Sequence, residues 1–149
     1  MSSFKGSFNY TVDNKGRINI PAKMRKNLAP EANNTFVITR GFENCIFVYP
    51  NDEWVKREAE IGKLQQNDPK HRYYTRVMLL NATDAEMDGQ YRIVLPKELI
   101  QYANIENEVF ILGAFDRIEV WNPNEFKKYL DSQQEDYLTV ASKIFEKKD

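Results

Sequence analysis

The sequence has 149 residues, of which 42% are hydrophobic and 29% charged, and its formal net charge is −1. This composition is typical of a globular protein and excludes wholesale disorder. No apolar run approaches the roughly 20 residues that a membrane-spanning helix needs, and the N-terminus lacks the apolar stretch of a secretory signal. The single cysteine, Cys45, excludes a disulfide scaffold and a zinc site built on cysteines, so we expect a reduced, cytoplasmic environment.

Catalytic motifs are absent from the sequence. There is no G-x-S-x-G, no phosphate-binding G-x-x-x-x-G-K-[ST] and no G-x-G-x-x-G. The only histidine, His71, is predicted to be a partly exposed helix residue rather than a general base. We therefore expect no enzyme activity, no cofactor, no bound metal, no small-molecule substrate and no membrane partner.

The basic residues are concentrated near the N-terminus. Residues 1–28 contain six lysines and arginines and one aspartate, a local charge of +5, whereas the remaining residues sum to −6. Phosphate binding depends on where cations cluster rather than on the total charge. The first segment therefore favours a local polyanion partner, with a solvated basic surface as the alternative.

A repeated motif is the main signal in the sequence. Residues 13–21 read DNKGRINIP and residues 88–96 read DGQYRIVLP, an offset of 75. Residues 36–50 match residues 109–123 at an offset of 73, which pairs Pro50 with Pro123. One ancestral unit of about 45 residues thus occurs twice.

Each unit has the same predicted order of elements. A strand leads into a tight Asp-x-x-x-Arg turn, in which we expect Gly16 or Gly89 to supply the positive φ. A second strand, a short helix that begins after Pro21 or Pro96, and a β-hairpin follow. The predicted strands include 7–12, 17–20, 35–39, 45–49, 82–87, 109–112 and 118–121, and the short helices are 22–28 and 97–103.

Further helices are predicted between and after the two units. They cover 53–66, a segment that begins at Pro69, and 125–147, and each has an apolar stripe that is typical of a core or a subunit interface. The predicted organisation is a first unit at 7–54, a helical connector at 55–81, a second unit at 82–125 and a helical segment at 126–149.

The duplicated motif, together with Phe4, Gly6 and Phe8 upstream of its first copy, resembles the MraZ family. The resemblance covers nearly the whole chain. It implies two SpoVT-AbrB-like units in an α+β, mainly β fold: a pseudo-twofold swapped-hairpin β-barrel with helices between and after the repeats. It also implies a cytoplasmic, nucleoid-associated regulator of the bacterial division and cell wall genes. Such a protein would bind short direct repeats of double-stranded DNA in its own promoter as a ring-shaped homo-oligomer.

The first motif carries the predicted DNA-binding residues. An aspartate and an arginine four residues apart across a tight turn can face each other, so Asp13 is expected to orient Arg17, which would contact a base or a phosphate. Phosphate contacts that set the register on DNA are expected from the surrounding cations. These are Lys15, Lys23, Arg25 and Lys26.

The second motif is predicted to be less suited to DNA. Residues 84–102 have a net charge of −2, so a structural ion pair between Asp88 and Arg92 is favoured over a DNA contact by Arg92. Three rival classes are weighed for the whole protein. The first is an AbrB-like protein-interaction module of the antitoxin type, against which the helical stripe of the C-terminal tail argues. The second is an enzyme, against which the lack of a nucleophile–base set argues. The third is a purely structural oligomer.

Overall fold

A computed structural model of the protein describes residues 1–146. Residues 147–149, with which the predicted segments 125–147 and 126–149 end, lie outside the described residues. The strands are β1 (Ser7–Thr11), β2 (Arg17–Asn19), β3 (Thr35–Arg40), β4 (Ile46–Pro50), β5 (Thr83–Glu86), β6 (Arg92–Val94), β7 (Glu108–Gly113) and β8 (Ile118–Trp121). The α-helices are α1 (Ala22–Arg25), α2 (Asn51–Ile61), α3 (Pro69–Leu80), α4 (Lys97–Tyr102), α5 (Pro123–Asp131) and α6 (Tyr137–Ile144). A 3-10 turn at Pro30–Ala32 lies between α1 and β3.

Six strands form one antiparallel sheet in the order β1-β7-β8-β4-β3-β5, and β2 pairs with β6 in a separate two-stranded ribbon. The fold is therefore mixed α+β, with an antiparallel sheet built from two repeats. Within residues 1–146 the large sheet is open at β1 and β5, so the predicted barrel is not confirmed. The ribbon contacts both edges, since β2 lies against β1 and β6 against β5.

The two repeats exchange strands. β1 of the first repeat pairs with β7 of the second, and β5 of the second pairs with β3 of the first. Two strand pairs join counterparts directly: Ile18 lies opposite Ile93, and Phe47 lies opposite Glu119. These pairs mark a pseudo-twofold relation between the halves. Neither repeat can complete its hydrogen-bonded sheet without the other.

The structure corrects the predicted alignment of the two hairpins. Val37 lies opposite Tyr49, and Phe110, the counterpart of Val37 at offset 73, lies opposite Trp121. Tyr49 therefore corresponds to Trp121 at offset 72, because the turn of the second hairpin is one residue shorter. Pro50 is then the counterpart of Asn122 and not of Pro123.

Side chains of alternate residues enter two separate cores, because the large sheet is covered on both faces. The inner core lies between the sheet, the ribbon and helices α1 and α4, and the outer core lies between the sheet and helices α2, α3 and α5. The inner core is centred on Ile18, Ile20, Met24, Phe36, Ile38, Ile46, Val48, Ile93, Leu95, Leu99, Val109, Ile111, Ile118 and Val120. The outer core contains Val37, Cys45, Phe47, Tyr49, Trp54, Ile61, Met78 and Trp121.

The C-terminal part differs most from the prediction. The segment expected to be helical from residue 125 forms two helices, α5 and α6, which are separated by residues 132–136. Asp136 caps α6 by accepting a hydrogen bond from the Thr139 amide at 2.8 Å. No helix among the described residues is long and apolar enough to cross a membrane.

Candidate nucleic-acid interface

The ribbon formed by β2 and β6 presents one face to solvent, and three of its four residues are polar or charged. Ile18 and Ile93 point into the inner core, where each is 1% exposed. Because neighbouring residues of a strand point to opposite faces, the flanking residues share the outward face. We call this surface the arginine ribbon. Its outward residues are Arg17, Asn19, Arg92 and Val94.

The arginines lie diagonally across the arginine ribbon. Arg17 is opposite Val94, and Arg92 is opposite Asn19. The Asn19 side-chain amide donates to the Gln90 carbonyl at 2.9 Å and so ties β2 to the second turn. The structure thus brings together two arginines that are 75 residues apart in the sequence.

The first turn holds Arg17 through the Asp13 carboxylate. Asp13 Oδ1 accepts from the amides of Lys15 and Arg17, both at 2.9 Å, and Oδ2 accepts from Arg17 Nε at 2.6 Å. Backbone bonds from Asp13 N to Arg17 O and from Gly16 N to Asp13 O close the turn. The predicted contact between Asp13 and Arg17 is therefore present. It uses Nε, so the two terminal guanidinium nitrogens are not needed to hold the turn.

The second turn repeats this geometry. Asp88 Oδ1 accepts from the amides of Gln90 and Arg92, and Oδ2 accepts from Arg92 Nε, each at 2.9 Å. The Arg17 and Arg92 side chains are also similarly exposed, at 28% and 25%. By geometry alone, the two arginines are equivalent.

Hydrogen bonds hold both aspartates in the charged form. The Arg17 amide lowers the pKa of the Asp13 carboxyl, with further lowering by the Arg17 side chain. The Arg92 amide lowers the pKa of Asp88 in the same way. Both carboxylates are therefore ionised at neutral pH and fix the orientation of their arginines.

The prediction that Gly89 supplies the positive φ of the second turn is wrong. The left-handed residue of the first turn is Gly16, with φ of +79°, and its counterpart in the second turn is Tyr91, with φ of +63°. The helix packed on each turn explains the difference. A Cβ at Gly16 would lie 3.4 Å from Ile100 Cδ1 of α4 and 3.0 Å from the Leu95 carbonyl.

At the equivalent position of the second turn, α1 supplies an arginine instead of an isoleucine. The Arg25 guanidinium carbon lies 3.9 Å from the centre of the Tyr91 ring, and Nη1 donates to the Ile20 carbonyl at 2.7 Å. Arg25 therefore attaches α1 to the second turn. Tyr91 is visible in the sequence at the position of Gly16, but its contact with Arg25 and its positive φ were not predicted.

The remaining predicted phosphate contacts lie on the surface around the first turn. Lys15 is at the tip of that turn, Lys23 is on α1, and Lys26 caps the C-terminus of α1; all three are exposed. Their counterparts at offset 75 are Gln90, Glu98 and Gln101. The two halves of the interface thus share geometry but not charge.

These observations define a class: a tandem-repeat protein whose halves share strands and present paired Asp-x-x-x-Arg turns on one ribbon. A family model described as "MraZ protein, putative antitoxin-like" matches the chain twice, at residues 3–77 and 78–147. The chain belongs to the MraZ family.

Curated relatives agree with the family model. A protein from Halothermothrix orenii is 40% identical over 139 residues, which cover 93% of this chain and 94% of the relative. A protein from Natranaerobius thermophilus is 38% identical over 141 residues, with 95% and 96% coverage. A protein from Moorella thermoacetica is 36% identical with the same coverage. Each of these relatives is named Transcriptional regulator MraZ.

Proposed function

We propose that this protein is a DNA-binding transcriptional regulator, as the name of its relatives suggests, and not an enzyme. The observation that carries the proposal is the pairing of Arg17 and Arg92 on the outward face of a two-stranded ribbon. A two-stranded β-ribbon is one of the elements that the major groove of B-form DNA admits.

The chemistry of the two turns suits base recognition. Each aspartate binds Nε of its arginine, so the terminal nitrogens can donate to the O6 and N7 acceptors of a guanine. Such a bidentate contact discriminates against a wrong base by about 1–3 kcal/mol. Arg17 and Arg92 are both proposed to contact bases, with Asp13 and Asp88 as positioning residues.

The cations around the first turn are proposed to contact phosphates. Lys15, Lys23 and Lys26 are exposed, and a lysine that neutralises a phosphate releases condensed counterions, so affinity falls steeply with salt. We place Arg25 in a lesser role, because its guanidinium is already engaged with Tyr91 and Ile20.

The last part of the proposal is that the protein binds DNA as a homo-oligomer. One ribbon makes few contacts, so a ring of identical subunits that binds short direct repeats would gain affinity by multivalency. The proposed targets are repeats in the protein's own promoter, in the division and cell wall gene cluster, within a cytoplasmic, nucleoid-associated setting. We also retain the swapped-hairpin barrel as the proposed description of the fold, with the ribbon closing the open side of the sheet.

Fluorescence anisotropy with a labelled fragment of that promoter tests the function. The wild-type chain, an Arg17→Ala/Arg92→Ala variant and an Arg76→Ala control are titrated across a salt series. Arg76 is an exposed arginine of α3, on the far side of the large sheet. We expect salt-sensitive binding that the double variant loses and the control keeps.

Equal binding by the double variant and the wild type would contradict the proposed ribbon contact. No binding of the wild type to any repeat-bearing fragment would favour the alternative, an AbrB-like protein-interaction module of the antitoxin type. The antitoxin-like description of the family favours that alternative, whereas the helical C-terminal segment α6 argues against a disordered toxin-binding tail.

A further inference from the structure

Two grooves flank the arginine ribbon, one on each side of the pseudo-twofold relation. The first groove lies where β2 meets β1. Its lining includes Asn9, Thr11 and Asn19. The second groove lies where β6 meets β5. Its lining includes Asp84, Glu86 and Val94. Because Asn19 and Val94 are outward residues of the ribbon, each groove adjoins the face that is proposed to enter DNA.

The two grooves are counterparts in the repeat, but they differ in charge. At offset 75 the residue pairs are Asn9 with Asp84, Thr11 with Glu86, and Asn19 with Val94. On the first lining, Arg25 and Glu108 carry opposite charges that cancel. Within residues 1–146, the only charged residues on the second lining are its two acids. The helices that follow increase the difference, because α1 adds the cation Lys23, whereas α4 adds Lys97 and Glu98, which cancel.

Asp84 and Glu86 do not hold the fold together. Both side chains are exposed, and the structure gives neither carboxylate a hydrogen bond or an ion pair within residues 1–146. Charged residues can also protect an edge strand from pairing with another chain. However, β1 is the opposite edge of the same sheet, and it has no charged residue. The fold therefore does not require acids here, and their charge acts on whatever lies in front of the second groove.

A ribbon that enters the major groove of DNA has one phosphate strand on each side of it. The strand beside the first groove would meet the amide of Asn9 and the hydroxyl of Thr11, which are groups that donate to phosphates. The strand beside the second groove would meet the carboxylates of Asp84 and Glu86, which repel phosphates. The two strands therefore do not have equivalent contacts, although the two arginines have equivalent geometry.

We propose that the first groove binds phosphates of one DNA strand, and that Asp84 and Glu86 exclude the other strand from the second groove. Both arginines reach bases, but the phosphate contacts beside the ribbon lie on one strand. The complex is then asymmetric, which suits direct repeats, because a palindromic site mirrors an exact twofold axis in the protein. This inference rests on the proposed DNA-binding function and adds which groove of the ribbon accepts the DNA backbone.

Duplexes with neutral phosphates on one strand at a time test this inference. The probe is a single-repeat promoter duplex in which methylphosphonates replace the phosphates that flank the repeat, and fluorescence anisotropy measures the affinity. We expect neutral phosphates on one strand to weaken binding of the wild-type chain by about 3- to 10-fold. On the opposite strand we expect no loss, because those phosphates face the acids. Equal losses from the two strands would overturn the inference.

Exchanging residues between the grooves assigns the effect to the two acids. Asp84→Asn/Glu86→Thr gives the second groove the residues of the first. We expect this variant to bind about 3- to 10-fold more tightly at low salt, with a gain that shrinks as salt screens the charges. We also expect it to become sensitive to neutral phosphates on both strands. Unchanged affinity with one-sided sensitivity would overturn the role of the acids.

A matched control separates local from total charge. Glu60→Gln/Asp131→Asn removes two exposed acids from α2 and α5, which cover the outer face of the large sheet. We expect this variant to bind like the wild type. An equal gain in both variants would overturn the inference, because total charge alone would then explain it.

The same titrations distinguish this inference from the proposed function. If binding of the wild-type chain depends on Arg17 and Arg92 but is equally sensitive to both strands, only the assignment of the grooves fails. If the wild-type chain binds neither the unmodified duplex nor any other repeat-bearing fragment, the DNA-binding function fails, and the assignment of the grooves fails with it.

Discussion

The two Asp-x-x-x-Arg turns have one geometry but two environments. In both, the aspartate accepts from two amides and from Nε of its arginine, at distances of 2.6 to 2.9 Å. The first turn carries Lys15 and precedes the basic α1, whereas the second carries Gln90 and precedes α4, which has one lysine and one glutamate. The comparison separates two tasks: the turns fix the arginines, and their neighbours set the local charge.

The largest expected loss of stability comes from substitutions of Ile18 and Ile93, counterparts in the two repeats that lie opposite each other in the ribbon. Ile18→Ala and Ile93→Ala each remove a fully buried side chain from the inner core beneath the ribbon. We expect each to lower the free energy of unfolding by about 2–5 kcal/mol. Urea denaturation checks this, and the comparison predicts similar losses for the two variants. A loss confined to one of them would show that the halves pack differently.

A smaller effect is expected at the left-handed residues of the turns. Gly16→Ala places a Cβ 3.0 Å from the Leu95 carbonyl at a positive φ, and we expect a loss of about 1–2 kcal/mol. Tyr91→Gly relieves the backbone but loses the Arg25 contact, so we expect a change within about 1 kcal/mol. Thermal unfolding compares the two, and equal destabilisation would contradict the different packing of the turns.

Arg25 and Lys23 distinguish structure from phosphate binding on α1. Arg25→Ala removes the contact with Tyr91 and the hydrogen bond to the Ile20 carbonyl, so we expect a stability loss of about 1 kcal/mol. Lys23→Ala loses no such contact, so we expect its stability to be unchanged. We expect the slope of log affinity for DNA against log salt concentration to become smaller by about one. The reverse assignment, with Lys23 needed for stability, would show that our division of roles is incorrect.

The smallest effect concerns pH. The pKa of Asp13 and Asp88 is lowered in the folded chain, so each adds stability above the pKa of an unfolded aspartate, about 3.9. That contribution is lost as the pH falls through the lowered folded value. In the Asp13→Asn and Asp88→Asn variants, the free energy of unfolding should therefore fall less steeply as the pH is lowered. Denaturation experiments at a series of pH values measure this. Because the two turns have the same geometry, we expect the same change of slope in both variants. Different changes would contradict the equivalence of the two turns.

The sequence predicted the repeat, most strands and the Asp13–Arg17 contact, because local spacing determines these features. The alignment of Pro50 with Pro123 was wrong, since matching prolines hid a one-residue deletion in the hairpin turn. Gly89 was wrongly expected to carry the positive φ, because glycine permits that conformation without requiring it. An apolar stripe on α6 predicts that a helix is covered, but it does not say by which chain.

Pairing of Arg17 with Arg92 could not be predicted from local patterns. It depends on the exchange of strands between the repeats, which puts β2 beside β6. The net charge of −2 over residues 84–102 predicted that the second motif is less suited to DNA. The structure contains the predicted ion pair between Asp88 and Arg92, with the same geometry as the pair between Asp13 and Arg17, and the weaker suitability of the second motif for DNA stays a prediction. The DNA roles of these residues stay a proposal.

Binding of promoter DNA by single arginine variants tests the central claim most directly. Arg17→Ala, Arg92→Ala and the Arg76→Ala control are compared with the wild type by anisotropy, with sizing to establish intact assembly. We predict that each ribbon variant loses about 5- to 150-fold in affinity, which corresponds to about 1–3 kcal/mol, while the control binds normally. Wild-type affinity for Arg92→Ala, with a loss for Arg17→Ala alone, would contradict the claim that both turns of the ribbon contact DNA.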